Sequence, residues 1–207
     1  ENTIPVTVDE LIPLTRAVVR GSSRAMVVAD LPFGSYESSP EQALATSIRF
    51  FKEAGAMAVK LEGAHLETVE KLTSSGIPVM GHLGLTPQSL HQLGGYKVQG
   101  RTDGEVMKAA ALALEKAGAF AIVLELVPEE LAKEITAALT IPTIGIGAGN
   151  VTDAQVLVWT DMAGLTAKPP KLAKAYRNLR QELLDATKEY ADEVRSGAFP
   201  TQAQTFH

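Results

Sequence analysis

Three short apolar runs of this 207-residue chain each end on a carboxylate: "VVAD" at Asp30, "VKLE" at Glu62 and "IVLE" at Glu125. Asp is among the poorest strand formers, so strand formation gives no reason for an acid there. A helix cap or a solvated loop accounts for one such acid. Three in the same position of three runs point to a shared acidic site. Carboxylates gathered in an apolar mouth repel one another and are costly to desolvate. A hard divalent cation such as Mg2+, held by few protein oxygens and several waters, relieves this. So does a raised pKa that makes one acid a general base near neutrality. Three acids allow both at once. Lys60, two residues before Glu62, adds a cation suited to the carboxylate of a small anionic substrate. His82, in "MGHLGLTPQS", follows a further apolar run and is either a structural hydrogen bonder or a member of the same site.

The elements that must position these groups follow from periodicity. Apolar runs predict strands near 25–29, 56–61, 78–81, 119–124, 143–146 and 156–159, buried on both faces because they lack in/out alternation. Helical patterns separate them. "TVDELIPLTRAVVRG" has Thr7 as N-cap with Glu10 three residues on, and Gly21 as its stop. "SPEQALATSIRFFKEAG" has Ser39 as cap, Pro40 at the first helical position and Gly55 at the end. "HLETVEKLTSSG", "DGEVMKAAALALEKAG" and "PEELAKEITAALT" repeat the scheme. Such β-then-α succession implies a parallel sheet with right-handed crossovers. In that class the carboxyl ends of all strands open on one face, where ligands bind. Six strands fit either an open doubly wound sheet or a (β/α)8 barrel lacking two strands, the complete barrel typically needing about 250 residues. The segment 171–196 reads as one long amphipathic helix, packed on the domain or facing a neighbouring subunit.

Composition excludes several classes. The net charge of −5 and the absence of any sizeable basic cluster argue against nucleic acid and anionic membranes as partners. Zero cysteines exclude disulfides, thiolate metal sites and cysteine nucleophiles, and fit a reducing cytoplasm. No window approaches the roughly 18 apolar residues of a membrane span, and the first ten residues, "ENTIPVTVDE", carry neither a basic n-region nor an apolar h-region. "GIGAGN", residues 145–150, lacks the spacing of a dinucleotide fingerprint. It is either backbone approaching a ligand closely or a tight barrel loop. "GGYKVQGR", with Lys97 and Arg101, reads as a lid or an oligomer contact.

Together the stretches "IPVTVDE", "VVADLPFGSY", "VKLEG", "GHLGLTPQS", "GGYKVQGR", "LELVP", "IPTIGIGAGNVTDAQVLVW" and "SGAFPTQAQTFH" resemble, in order and over essentially the whole chain, the ketopantoate hydroxymethyltransferase family. The resemblance implies an α/β fold, a (β/α)8 barrel of the phosphoenolpyruvate/pyruvate type. It implies a cytoplasmic enzyme that transfers a hydroxymethyl group from 5,10-methylenetetrahydrofolate to 3-methyl-2-oxobutanoate through a Mg2+-stabilised enolate, opening pantothenate synthesis. The partners implied are those two small molecules and further copies of the chain, commonly in a decamer. Carried onto this sequence, Asp30 is a metal ligand that also meets substrate, Glu62 the acid associated with the metal, Lys60 a substrate-binding residue, His82 a member of the mouth and Glu125 the general base.

The family pattern also has a Val-Gly-Asp-Ser-like turn, with a metal-ligating Asp and a substrate-holding Ser, and no such turn occurs in the 207 residues. The expectation is therefore one domain over 1–207, a barrel with about the first two strands absent from the sequence. Two other readings follow from this: a Mg2+-dependent 2-oxo acid lyase on the same barrel, needing no one-carbon donor, and a chain that serves only as an inactive fragment or oligomer component.

Overall fold

The structure, a computed structural model, describes residues 3–206. Local signals set the starts of the first two helices. The first helix, α1 (Val8–Gly21), starts at the capping box read from the sequence: Thr7 Oγ1 accepts the Glu10 N–H, and the Glu10 carboxylate accepts the Thr7 N–H. In α2 (Pro40–Arg49) Ser39 caps Gln42 N–H and Pro40 takes the first position; a π-turn, Phe50–Ala54, carries the chain to Gly55. The remaining helices of this part are α3 (Leu66–Ser74), the single turn α4 (Leu90–Leu93), α5 (Gly104–Lys116) and α6 (Glu129–Ala138).

The strands are β1 (Val28–Asp30), β2 (Ala58–Lys60), β3 (Val79–Gly84), β4 (Ala121–Glu125), β5 (Thr143–Ile146) and β6 (Ala154–Gln155). All pairs are parallel, and the order across the sheet is β1-β2-β3-β4-β5-β6. A doubly wound sheet reverses its strand order at a switch point. No reversal occurs here, so the tie left open by strand counting resolves to the barrel type. β1 and β6 are the sheet's edges among the described residues.

Strands β1 to β4 each turn one face to a packed core, whereas both residues of β6 are exposed. Ala29, Val59, Leu61, Val79, Ile122 and Leu124 are buried in one core with helix residues such as Phe50, Leu72, Leu114 and Ile135. The alternate residues face the other way. Val28 and Asp30, Met80 and His82, Val123 and Glu125, and Ile144 and Ile146 line a common cavity from successive strands. The sheet therefore curls around that cavity.

Two sequence expectations are corrected. The sixth strand is Ala154–Gln155 rather than 156–159. The apolar run there stays exposed at Val156, Val158 and Trp159, and Trp159 opens a short helix, α7 (Trp159–Met162). Backbone pairing of Ala154 and Gln155 with Ile144 and Gly145, not apolarity, places the strand. The long terminal helix, α8, spans Leu179–Ser196 and does not reach back to residue 171. Its expected first turns lose their backbone N–H groups to other acceptors: Tyr176 donates to the Met162 carbonyl and Ala173 to Pro170. Asn178 then caps the helix.

The chain divides into two compact units between Val156 and Leu157. The first holds the sheet and its cavity. The second holds α7 and α8. No side chain of α8 is buried, and Tyr190 meets Phe199 edge-on, with ring centroids 5.5 Å apart.

Candidate active site

All five site residues read from the sequence line one cavity of about 490 Å³: Asp30, Lys60, Glu62, His82 and Glu125. Asp30 and Glu125 are the last residues of β1 and β4, Lys60 is the last of β2, and Glu62 follows two residues later. In four strands the residue two places before the mouth is apolar: Val28, Met80, Val123 and Ile144. In β2 it is Lys60, a cation standing among an apolar floor.

Lys60 organises the site. Register places it opposite Asp30, and its Nζ lies 2.7 Å from Asp30 Oδ1. It also lies 3.2 Å from His82 Nδ1 and 4.0 Å from Glu62 Oε1. An ammonium can only donate, so His82 Nδ1 accepts, and the neutral ring carries its proton on Nε2. The ring is neutral because burial first, and then the Lys60 charge, push its pKa down to about 3. Nε2 lies 3.3 Å from Glu125 Oε2. That approach is not a well-formed hydrogen bond, and buried Nε2 makes no well-formed hydrogen bond to any other described residue. His82 therefore stands between the cation and the acid.

The two inner acids sit in unusual surroundings. Burial pushes Glu125 up to about 7, against the pull of Lys60. Burial also pushes Glu62 up to about 7, against Lys60 and the Gln88 N–H that its carboxylate accepts. Asp30 differs, with half of its side chain exposed at the rim.

Among the described residues no group of three or more His, Asp or Glu side chains is disposed to hold a metal ion. The donors available are the two carboxylates Asp30 and Glu62, on adjacent strand ends beside one cavity. Mg2+ keeps several waters and commonly takes only one or two protein carboxylates, so this donor set fits it.

Two features were not legible as site residues. Tyr36 and Gln88 stand in the "LPFGSY" and "LTPQS" loops and are buried against Glu62. The available signal was weak: a Gln just after Pro, close behind a strand end. Conversely, Lys97 and Arg101 are not among the residues lining the cavity. "GIGAGN" closes on itself. A Cβ at Gly145 would lie 2.5 Å from Thr152 Oγ1, and one at Gly149 would lie 2.6 Å from Glu129 Cγ. Gln155 Nε2 donates to the Gly149 carbonyl. Close packing of the loop accounts for these glycines.

The fold has counterparts among solved structures. Phosphonopyruvate hydrolase aligns with a TM-score of 0.54 at 15% identity, covering 99% of this chain and 73% of that one. Phosphoenolpyruvate phosphomutase from Streptomyces platensis subsp. rosaceus gives 0.53 at 13% identity, over 93% and 69%. At such identities the likeness concerns the fold alone. Sequence relatives are far nearer. The 3-methyl-2-oxobutanoate hydroxymethyltransferases of Frankia alni and Saccharopolyspora erythraea are each 61% identical over 100% of this chain, which spans 69% and 72% of their lengths. That of Thermobifida fusca is 57% identical, with 75% of its length spanned. A family model described as ketopantoate hydroxymethyltransferase matches residues 1–202. Whole-chain identity of this order, on a barrel-type sheet whose acids meet in one mouth, makes this chain a member of the ketopantoate hydroxymethyltransferase family.

Proposed function

We propose that the chain transfers a hydroxymethyl group from 5,10-methylenetetrahydrofolate to 3-methyl-2-oxobutanoate, giving 2-dehydropantoate, the first step of pantothenate synthesis. The observation that carries this reading is Glu125: a carboxyl poised near pH 7, at the end of β4, over an apolar floor and beside a neutral histidine. Taking a proton from carbon next to a carbonyl asks for a base of this kind.

Glu125 accepts the C3 proton of the 2-oxo acid, and the electron pair left on C3 forms the new bond to the one-carbon unit. Both bonds from that unit to the folate nitrogens break, one water supplies the hydroxyl oxygen, and tetrahydrofolate leaves with the remaining protons on its nitrogens. His82, with its proton on Nε2, faces the Glu125 carboxylate and steadies its charged form. Lys60 gives the substrate carboxylate a cationic partner in an otherwise apolar or acidic surface. Asp30 and Glu62 would hold Mg2+, with Asp30 also reaching the substrate. Bound there, the metal supplies Lewis-acid polarisation of the 2-oxo group. The floor of Val28, Met80, Val123 and Ile144 presents an apolar surface to the reacting carbon. The same reading makes the protein a cytoplasmic homo-oligomer, a decamer as its family resemblance implies. Among the described residues no helix is long and apolar enough to cross a membrane.

Glu125→Gln tests the assignment. Exchange of the C3 proton of 3-methyl-2-oxobutanoate with solvent, followed by NMR in D2O, should fall at least about a hundredfold. Mg2+ binding should remain. Exchange at the unsubstituted rate would remove Glu125 from the role of base. Cleavage of a 2-oxo acid without any one-carbon donor would replace the transferase reading with a lyase.

A further inference from the structure

Glu62 is held by two residues to which the reaction above gives no role. Its backbone N–H donates to Tyr36 Oη at 3.2 Å. Its Oε2 accepts the Gln88 backbone N–H at 2.9 Å. Tyr36 Oη in turn donates to Gln88 Oε1, and Gln88 Nε2 donates to the Leu31 carbonyl at 2.8 Å. The three residues are nearly inaccessible, at 2% for Tyr36, 6% for Glu62 and 9% for Gln88. They come from the loops after β1, β2 and β3, so the cluster ties three successive strand ends together.

The direction of every bond is forced. A carbonyl cannot donate, so the Gln88 amide nitrogen must face Leu31, and its oxygen must then face Tyr36. The phenol spends its one proton on that oxygen and keeps a lone pair for the Glu62 N–H. The ring itself is set edge-on against His65, with centroids 5.6 Å apart. Nothing in the cluster can rotate without leaving a buried donor or acceptor unpaired, and such networks hold one arrangement when fully satisfied. With Oε2 committed to Gln88, Oε1 is the Glu62 oxygen on the Lys60 side.

We propose that Tyr36 and Gln88 are positioning residues for the metal site: they clamp Glu62 by backbone and by one carboxylate oxygen, so that the other oxygen is presented to the cation. The proposal rests on the assignment of Glu62 to Mg2+ made above. It differs from a merely structural role in one respect, because it requires metal affinity, and not just stability, to depend on a phenol and an amide that would not touch the metal. Partners that orient metal ligands typically account for 10–100-fold in affinity.

The test uses the full chain without substrate, titrated with Mg2+ by calorimetry, each variant also melted thermally. Tyr36→Phe keeps the ring and removes only the hydroxyl. It should weaken Mg2+ binding about tenfold or more. Gln88→Met, similar in shape and without the amide, should do the same, and carries the test if Tyr36→Phe does not fold. Glu62→Gln is the reference. The double variant Tyr36→Phe/Glu62→Gln should bind no more weakly than Glu62→Gln alone, since the clamp acts only through that carboxylate. If Tyr36→Phe and Gln88→Met lower the melting temperature yet bind Mg2+ as the unsubstituted chain does, while Glu62→Gln weakens it, the clamp is structural only and the proposal is overturned. If Glu62→Gln itself binds Mg2+ normally, the metal assignment of Glu62 falls, and the proposal with it.

Discussion

At the residue scale the site is a problem of desolvation that one cation offsets only in part. Glu62 and Glu125 are buried among apolar neighbours, Lys60 opposes the cost for both and the Gln88 N–H for Glu62, and both carboxyls end near pH 7. Activity that needs Glu125 charged should therefore rise as pH increases through about 7. The rise in C3 exchange should vanish in Glu125→Gln. Stability should move the opposite way. An unfolded Glu releases its proton near 4.5, whereas folded Glu125 keeps it to about 7. Across that window the folded state binds more protons, so this residue's contribution to stability declines as pH rises. Melting the metal-free chain and Glu125→Gln side by side should show the difference between them shrinking from pH 4.5 to about 7 in the unsubstituted chain's disfavour. His82 runs in reverse, because burial keeps it neutral to about pH 3. It costs stability as pH falls below its ordinary 6.5.

At the scale of elements, the ends of β3 and β4 are built to place Glu125. Gly84 closes β3 at φ +93°, opposite Glu125 in register. A Cβ there would collide with the Glu125 carbonyl oxygen and come within 2.7 Å of Val127 Cγ2. That carbonyl also accepts the Leu85 N–H at 2.8 Å. Gly84→Ala should therefore cost both stability and C3 exchange, the second by displacing Glu125. A loss of melting temperature with unchanged exchange would mean that β4 gives way elsewhere. Leu126, next to Glu125, takes φ +47°, a strained value for a side chain with a Cβ. Its N–H and carbonyl are pinned by the Ile146 carbonyl and the Gln99 N–H. Helix α1 offers a simpler case. Thr7→Ala removes its N-cap and should cost about 1 kcal/mol in urea unfolding.

At the scale of the whole molecule, one continuous core supports the mouth from behind. Leu114 of α5 is fully buried, and its Cδ1 would lie 3.1 Å from a Cβ at Gly81, beneath β3. Leu114→Ala should cost about 2–5 kcal/mol. The midpoint of urea unfolding should fall while the slope stays constant, because the surface exposed on unfolding hardly changes. Beyond α6, the exposed Leu183, Leu184, Tyr190 and Val194 of α8 show that a helical apolar pattern does not by itself bury a helix.

Much of this was legible in the sequence. The capping box at Thr7, the Ser39-Pro40 start, the βα succession and the carboxylates ending three apolar runs depend on interactions a few residues long, and the chain carries them wherever it goes. The resemblance added the family, which whole-chain relatives support. What the sequence could not show depends on partners distant along the chain. Strand order, which separates a barrel from a doubly wound sheet, is a matter of which backbone groups pair. The start of α8 was decided by a Met162 carbonyl taking the Tyr176 N–H, and β6 by pairing with β5. The proton position on His82 follows from Lys60, a residue on another strand. Tyr36 and Gln88 became visible only when three loops closed over Glu62, because buried polar groups must pair with whatever polar groups the fold buries beside them.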